Sequence, residues 1–179
     1  MKASFKSTGE LILTEVKGSE IVFRHLSGVK DMKNKYGETA FSVEISDELA
    51  EELNAKGWKV SFGKEKADGN GKYSSKLKVD LYFDSPYWKP TIRRYSSSGS
   101  TIIDKGNVID IESDQIESAA MVIRPRRSRQ ENGGDGMIHA KLKNMRYKLE
   151  EDDLAGVYDN DTVYDEPPMD HDEDELPFE

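Results

Sequence analysis

The sequence predicts an all-β domain, a small barrel of short strands with extra hairpins and one short helix, followed by a disordered acidic tail. Three observations carry this expectation. Short apolar or alternating runs, separated by turns bearing Gly, Ser and Asn, recur between residues 10 and 149. A single segment of helical period interrupts them. Beyond Leu149 the apolar pattern stops, and from Glu150 to Glu179 the chain carries 14 acidic residues and no Lys or Arg.

Residues 10–16 and 20–25 read as the first strands, with Lys17-Gly18-Ser19 turning between them. Residues 28–37 form a polar loop with Lys30, Lys33 and Lys35, and residues 39–45 a strand with Phe41, Val43 and Ile45 on one face. Ser46 or Asp47 caps a helix expected over 47–56, in which Leu49 and Leu53 share a face beside Ala50, and Gly57 stops it. Residues 58–62 return to strand, and 63–75 are a Lys- and Gly-rich loop. Residues 76–83 alternate, with Leu77, Val79, Leu81 and Phe83 inward and Lys76, Lys78, Asp80 and Tyr82 outward. Ser85-Pro86 breaks that run, residues 87–95 resume it, and the cluster at 96–100 ends it. Residues 101–111 read as a hairpin turning at Asp104-Lys105-Gly106-Asn107. Residues 119–123 and 137–149 read as closing strands, with an arginine-rich and then a glycine-rich loop between them. Many short strands, one helix after about the third, and long polar loops fit an OB-type, five-stranded barrel.

At 179 residues the chain has room for one domain and an appendage. The expected division is a folded domain over 1–155 and a tail over 156–179, too acidic and too poor in apolar side chains to offset the entropy of ordering. The net charge of −9 is segregated: residues 1–149 hold 26 basic and 21 acidic groups, a net of +5. The body is therefore suited to a polyanion although the whole chain is acidic. With no cysteine, disulfides, thiolate metal sites and cysteine nucleophiles are excluded. No run approaches the roughly 18 apolar residues of a membrane helix, and Met1-Lys2-Ala3-Ser4-Phe5-Lys6 lacks a signal core, so the expected location is cytoplasmic.

Catalytic patterns fail on inspection. Gly69-Asn70-Gly71-Lys72 ends like a phosphate loop, but Lys66 stands where glycine is required and Tyr73 where Ser or Thr is. Glu15-Val16-Lys17 lacks the preceding aspartate of a metal-dependent nuclease. His25, His139 and His171 stand at unrelated positions without cysteine partners. No enzyme, metal or cofactor is expected.

Cations interleaved with aromatics do stand out, the combination that holds a single strand through its phosphates and its base faces. The segment from Tyr87 to Tyr95 supplies Tyr87, Trp88, Lys89, Arg93 and Arg94. The outward face of 76–82 supplies Lys76, Lys78 and Tyr82. Lys59, the run Arg124, Arg126 and Arg127, and the closing-strand residues Lys141, Lys143 and Arg146 complete the candidate DNA-binding set. Trp58, directly after the helix, reads instead as a core anchor.

Two resemblances sharpen this. The order Phe41-Ser42-Val43-Glu44-Ile45, acidic helix, Gly57-Trp58-Lys59-Val60 resembles tailed-phage single-stranded DNA-binding proteins with an OB fold. So does the later succession of a strand (77–83), a proline-led segment (86–94), a hairpin (101–111), an apolar-Arg-Pro stretch (121–125) and a glycine loop before a Lys-rich strand (133–148). The acidic run ending in Leu176-Pro177-Phe178-Glu179 is similar to the tip of bacterial single-stranded DNA-binding proteins, which ends on the phenylalanine whereas here Glu179 follows. The resemblances imply a sequence-tolerant single-strand binder of replication, recombination or repair, in the host cytoplasm if phage-encoded. They also imply a tail whose Asp174, Glu175, Leu176, Pro177 and Phe178 engage replication or recombination proteins. Two rivals are an acidic DNA mimic, whose charge belongs on a folded surface rather than a tail, and an OB-fold accessory to a nucleic-acid enzyme.

Overall fold

The computed structural model describes residues 1–30, 37–128 and 134–150. Among them, nine strands build one mixed sheet: β1 (Lys2–Phe5), β2 (Leu11–Lys17), β3 (Ile21–His25), β4 (Ala40–Ile45), β5 (Ser75–Asp80), β6 (Thr91–Ser96), β7 (Gly99–Ile103), β8 (Ile116–Arg127) and β9 (Ile138–Leu149). A 3-10 turn (Gly18–Glu20) joins β2 to β3, and helices α1 (Asp47–Ala55) and the four-residue α2 (Asp110–Ser113) complete the elements.

The strands run β1-β2-β8-β9-β5-β4-β3, with β6 also paired to β9 and β7 to β6. Hydrogen bonds do not close this sheet into a ring. Its two ends meet all the same, because β2 and β3 are consecutive and only the 3-10 turn separates them. One bent N-terminal strand thus crosses the seam, pairing with β8 on one half and β4 on the other. Counting it once leaves β4, β5, β9 and β8, with β5 parallel to β9: a partly open OB-type barrel of five strands. Strand β1 and the β6–β7 hairpin are the extras. The expected fold class stands.

The apolar faces converge on one core, with Leu11 and Leu13 from β2, Phe41 and Val43 from β4, Leu77 and Val79 from β5, and Met145 and Tyr147 from β9. The seam turn is tight. A Cβ on Gly18 would lie 1.7 Å from the Ile116 carbonyl oxygen, so only glycine fits between the turn and the start of β8. Gly18→Ala is expected to cost about 1–3 kcal/mol, as overpacking does, and a urea midpoint unchanged from the native protein would refute that.

Helix α1 follows its sequence signals. Ser46 Oγ accepts the Leu49 N–H at 3.2 Å. At the other end Gly57, at φ +85°, donates to Asn54 O, and Trp58 N–H donates to Leu53 O, each at 2.9 Å. That pair of bonds is the Schellman ending. It delivers Trp58 into the core at 2% exposure.

Four expectations need correction. Residues 58–62 make isolated bridges, Trp58 to Ile138 and Ser61 to Lys76, rather than a strand. The strand expected over 87–95 begins only at Thr91, because the chain turns through 84–88 first. The hairpin does not turn at 104–107: Ser96 pairs with Gly99, so the serine cluster is itself the reversal. At 104–107 the side chains of Asp104 and Asn107 bind nearby backbone N–H groups and lead into α2. Finally, β8 runs through Pro125 to Arg127. Pairing with β2 stops at Ile123, so proline sits where that edge is free and no N–H is missed.

Candidate nucleic-acid interface

Register places the outward side chains of three strands side by side. Asp80 of β5 lies beside Lys141 of β9, which lies opposite Arg124 of β8, and Arg126 lies opposite His139. Lys78 and Lys76 continue the same face along β5, opposite Ser42 and Glu44 of β4. Tyr82, two residues beyond Asp80, and Trp88, on the turn that follows, arrive at one end of it.

There they form a cluster. The Arg126 guanidinium stands 5.6 Å from the centre of the Tyr82 ring and 5.8 Å from that of Trp88. Lys141 Nζ stands 4.4 Å from the Tyr82 ring centre and donates to Tyr82 Oη at 3.0 Å. Beside them Tyr82, Arg126, Arg127, His139 and Lys141 line a groove of about 600 Å³. Lys141 is 3% exposed and its ammonium is held by Asp80. It fixes the tyrosine rather than reaching solvent.

A second tie holds the turn. Arg124 donates to the Tyr87 carbonyl at 2.8 Å and lies 3.8 Å from Glu10. Glu10, itself buried, accepts from Lys143 at 2.6 Å, and that hydrogen bond holds its carboxyl below the usual range against the opposing effect of burial. Tyr87 projects its ring outward at 82% exposure.

Phosphate binding favours cations not already neutralised, since a paired one must give up its partner. By this measure the sequence-predicted residues divide. Lys59 is paired with Asp135, Lys76 lies 3.5 Å from Glu44, and Lys78 is held by Glu38. Arg94 points away from the groove, toward Asp114, which also accepts the buried Tyr147 hydroxyl at 2.6 Å. Lys141 and Lys143 are carboxylate-bound, as above. Among the described residues Lys89, Arg93, Arg126, Arg127 and Arg146 have no carboxylate partner. Arg126 and Arg127 line the groove beside Tyr82 and Lys89 follows Trp88 in the chain, whereas Arg93 of β6 and Arg146 of β9 lie side by side where those two strands pair. Asp174, Glu175, Leu176, Pro177 and Phe178 lie outside the described residues, as do Lys33 and Lys35.

Asp135 anchors the far side of the groove. Its carboxylate binds Lys59 at 2.8 Å, Ser128 Oγ at 2.6 Å and the Met137 N–H at 3.0 Å, with His139 Nε2 at 3.1 Å. Led by the Lys59 bond, these contacts hold its pKa well below the ordinary value. A depressed carboxylate stabilises the fold above its unfolded pKa, and that contribution is lost as pH falls through the folded one. The melting difference between native and Asp135→Asn proteins is therefore expected to be present at pH 7 and to shrink below about pH 4. A difference that stays constant on acidification would refute the assignment.

Sequence reading missed Phe23 and His139. Phe23 is 60% exposed at φ +50°, with Lys76 Nζ 5.7 Å from its ring centre. Alternation from Ile21 would have turned it inward. The irregular pairing between Val22 and His25 turns it out, and nothing in the residue pattern signals that.

Residues 4–176 match the model of the phage ssDNA-binding domain family. The chain belongs to that family. Its fold is similar to the single-stranded DNA-binding protein from bacteriophage Enc34 in complex with ssDNA, at 12% identity and TM-score 0.48, over 84% of this chain and 92% of that one. The same phage protein in its C-terminal truncation aligns at 12% identity and TM-score 0.46, covering 84% and 90%, and on its own at 13% and 0.45, covering 87% and 93%. No curated protein matches the chain. No helix of the described residues is long and apolar enough to cross a membrane.

Proposed function

We propose that this phage-family chain binds single-stranded DNA without strong sequence preference, as a non-enzymatic protein of DNA replication, recombination or repair in the cytoplasm of the host. One observation carries the reading: Arg126, free of any carboxylate among the described residues, stands between the rings of Tyr82 and Trp88 on the outer face of the barrel. Aromatic faces accept any base, and the arginines and Lys89 offer charge to the phosphates. Lys141 and Arg124 act as positioning residues, one beneath Tyr82 and one behind Tyr87.

The test is a titration with oligo(dT), duplex DNA and RNA at several salt concentrations. Affinity is expected to be higher for oligo(dT) than for duplex and to fall as salt rises, because bound cations are released from the strand. Equal affinity for duplex, or no salt dependence, would overturn the reading.

Residues 156–179 serve in this reading as a separate acidic segment that competes with DNA for the basic face and engages replication or recombination proteins through Asp174, Glu175, Leu176, Pro177 and Phe178. Deleting them removes ten acidic groups and takes the net charge from −9 to +1. A tethered polyanion acts at high effective concentration and is screened by salt. The truncated protein is expected to remain folded and to bind oligo(dT) more tightly, most of all at low salt. Unchanged affinity at low salt would end the competition mechanism, and an unfolded product would move the domain boundary.

A further inference from the structure

We infer that the single strand does not end at the Tyr82–Trp88 cluster but continues along β9 to a second platform formed by Arg93, Tyr95, Ala120 and Arg146. This inference rests on the DNA-binding reading above and extends it. A bulge makes the continuation possible. Leu142 pairs with Ile123 and Asn144 with Val122, which leaves Lys143 as an extra residue in β9. The insertion shifts the alternation: His139 and Lys141 face outward before it, and Asn144, Arg146 and Lys148 after it, while Met145 and Tyr147 are buried. The outer face of β9 is thereby one continuous strip instead of switching to the core halfway.

The distal half of that strip repeats the chemistry of the first site. Register places Arg93 of β6 beside Arg146, with Ala120 on its other side, and Tyr95 beside Lys148, with Ser118 beyond. Tyr95, Ser118, Ala120, Arg146 and Lys148 border an open groove of about 510 Å³, whose small residues leave room for a flat ring against Tyr95, itself 37% exposed. Arg146 is exposed and has no hydrogen-bond or ion-pair partner among the described residues, and Arg93 donates only to Ser100 Oγ at 3.3 Å. The nearby carboxylates are already answered, Glu15 by Lys2 and Glu117 by Lys148. Two arginines without counter-charge, one stacking ring and a small-residue floor complement a polyanion bearing bases, and the strip links them to the first site. Residues 139 to 148 of a strand span roughly 30 Å, within the reach of a site of several nucleotides.

The experiment compares full-length native protein with Tyr95→Ala, Arg146→Ala and Arg146→Gln on a short oligo(dT), about 5 nucleotides, and a long one, about 20. Each variant is expected to lose about 5- to 100-fold on the long strand and much less on the short one. The arginine variants should also lower the salt slope by about 0.7 on the long strand alone. Melting curves close to native confirm that these exposed positions leave the fold intact. Native-like affinity for the long strand in Tyr95→Ala and both Arg146 variants overturns the proposal. Trp88→Ala, measured in parallel, must weaken both lengths. If it weakens neither, the reading of the first site is what fails.

Discussion

Trp88→Ala is expected to weaken oligo(dT) binding by about 1–3 kcal/mol, close to the worth of one stacked base, and to leave the melting temperature nearly unchanged. Both halves follow from position. Trp88 stands on the turn between β5 and β6, partly buried, with Arg126 5.8 Å from its ring centre and its backbone N–H donated to Ser85 Oγ. It lies outside the buried core, so its removal opens no interior cavity. Arg126→Ala should lower affinity as well and reduce the salt slope by about 0.7, since it takes away one phosphate partner. The contrary outcome, a large fall in stability with unchanged affinity for DNA, would assign Trp88 to the scaffold.

Lys141→Met should lower stability as well as affinity. It leaves the Asp80 carboxylate, whose side chain is 14% exposed, with Lys78 Nζ at 3.6 Å as its remaining cation among the described residues. Breaking a buried pair from one side costs about 3–5 kcal/mol, and the exposed Lys78 offsets part of it, so a loss of about 3 kcal/mol is expected. Adding Asp80→Asn removes the stranded charge and should restore much of that stability. DNA affinity should not recover with it, because Tyr82 still lacks the hydrogen bond and the cation that hold its ring. Urea denaturation of the native, single and double variants, each with an oligo(dT) titration, decides the matter. A double variant no more stable than Lys141→Met would show that the pair is not what Lys141 contributes.

Much of this was legible in the residues, and the failures have physical causes. The alternation of Leu77 and Val79 gave β5 and its outward lysines, because one face of that strand is buried and the other is not, but the strand ends at Asp80 and not at Phe83, so Tyr82 lies just beyond it. The cap at Ser46 and the stop at Gly57 are local chemistry and were readable as such. Turn composition could not choose between Ser96–Gly99 and 104–107 as the reversal, since both are good turns and pairing with β9 decides between them. Pro125 hid the length of β8, because a free edge is a property of the sheet and not of the sequence. In the site, composition found the cations but not their partners. Lys59, Lys78, Arg94 and Lys143 are separated in the chain from Asp135, Glu38, Asp114 and Glu10, so which charges remain free is known only after folding. Phe23 was invisible for a related reason: an irregular register reversed the face that period-two alternation assigns it.

The seam between β2 and β8 also sets a schedule for synthesis. Strands β3, β4 and β5 lie within residues 21–80 and can pair with one another soon after they emerge. Strand β2 cannot complete its pairing, because Leu11 is matched to Ile123 and the β8–β9 ribbon is made last. At roughly 5–20 residues per second, the first core strand waits on the order of ten seconds for its neighbour. Pairings this distant are slow to form after release as well, since the loop must close before any contact rewards it. A chain stalled between β5 and β8 holds Leu11, Leu13 and Val16 with no strand beyond β1 to cover them, and aggregation on the ribosome would start there.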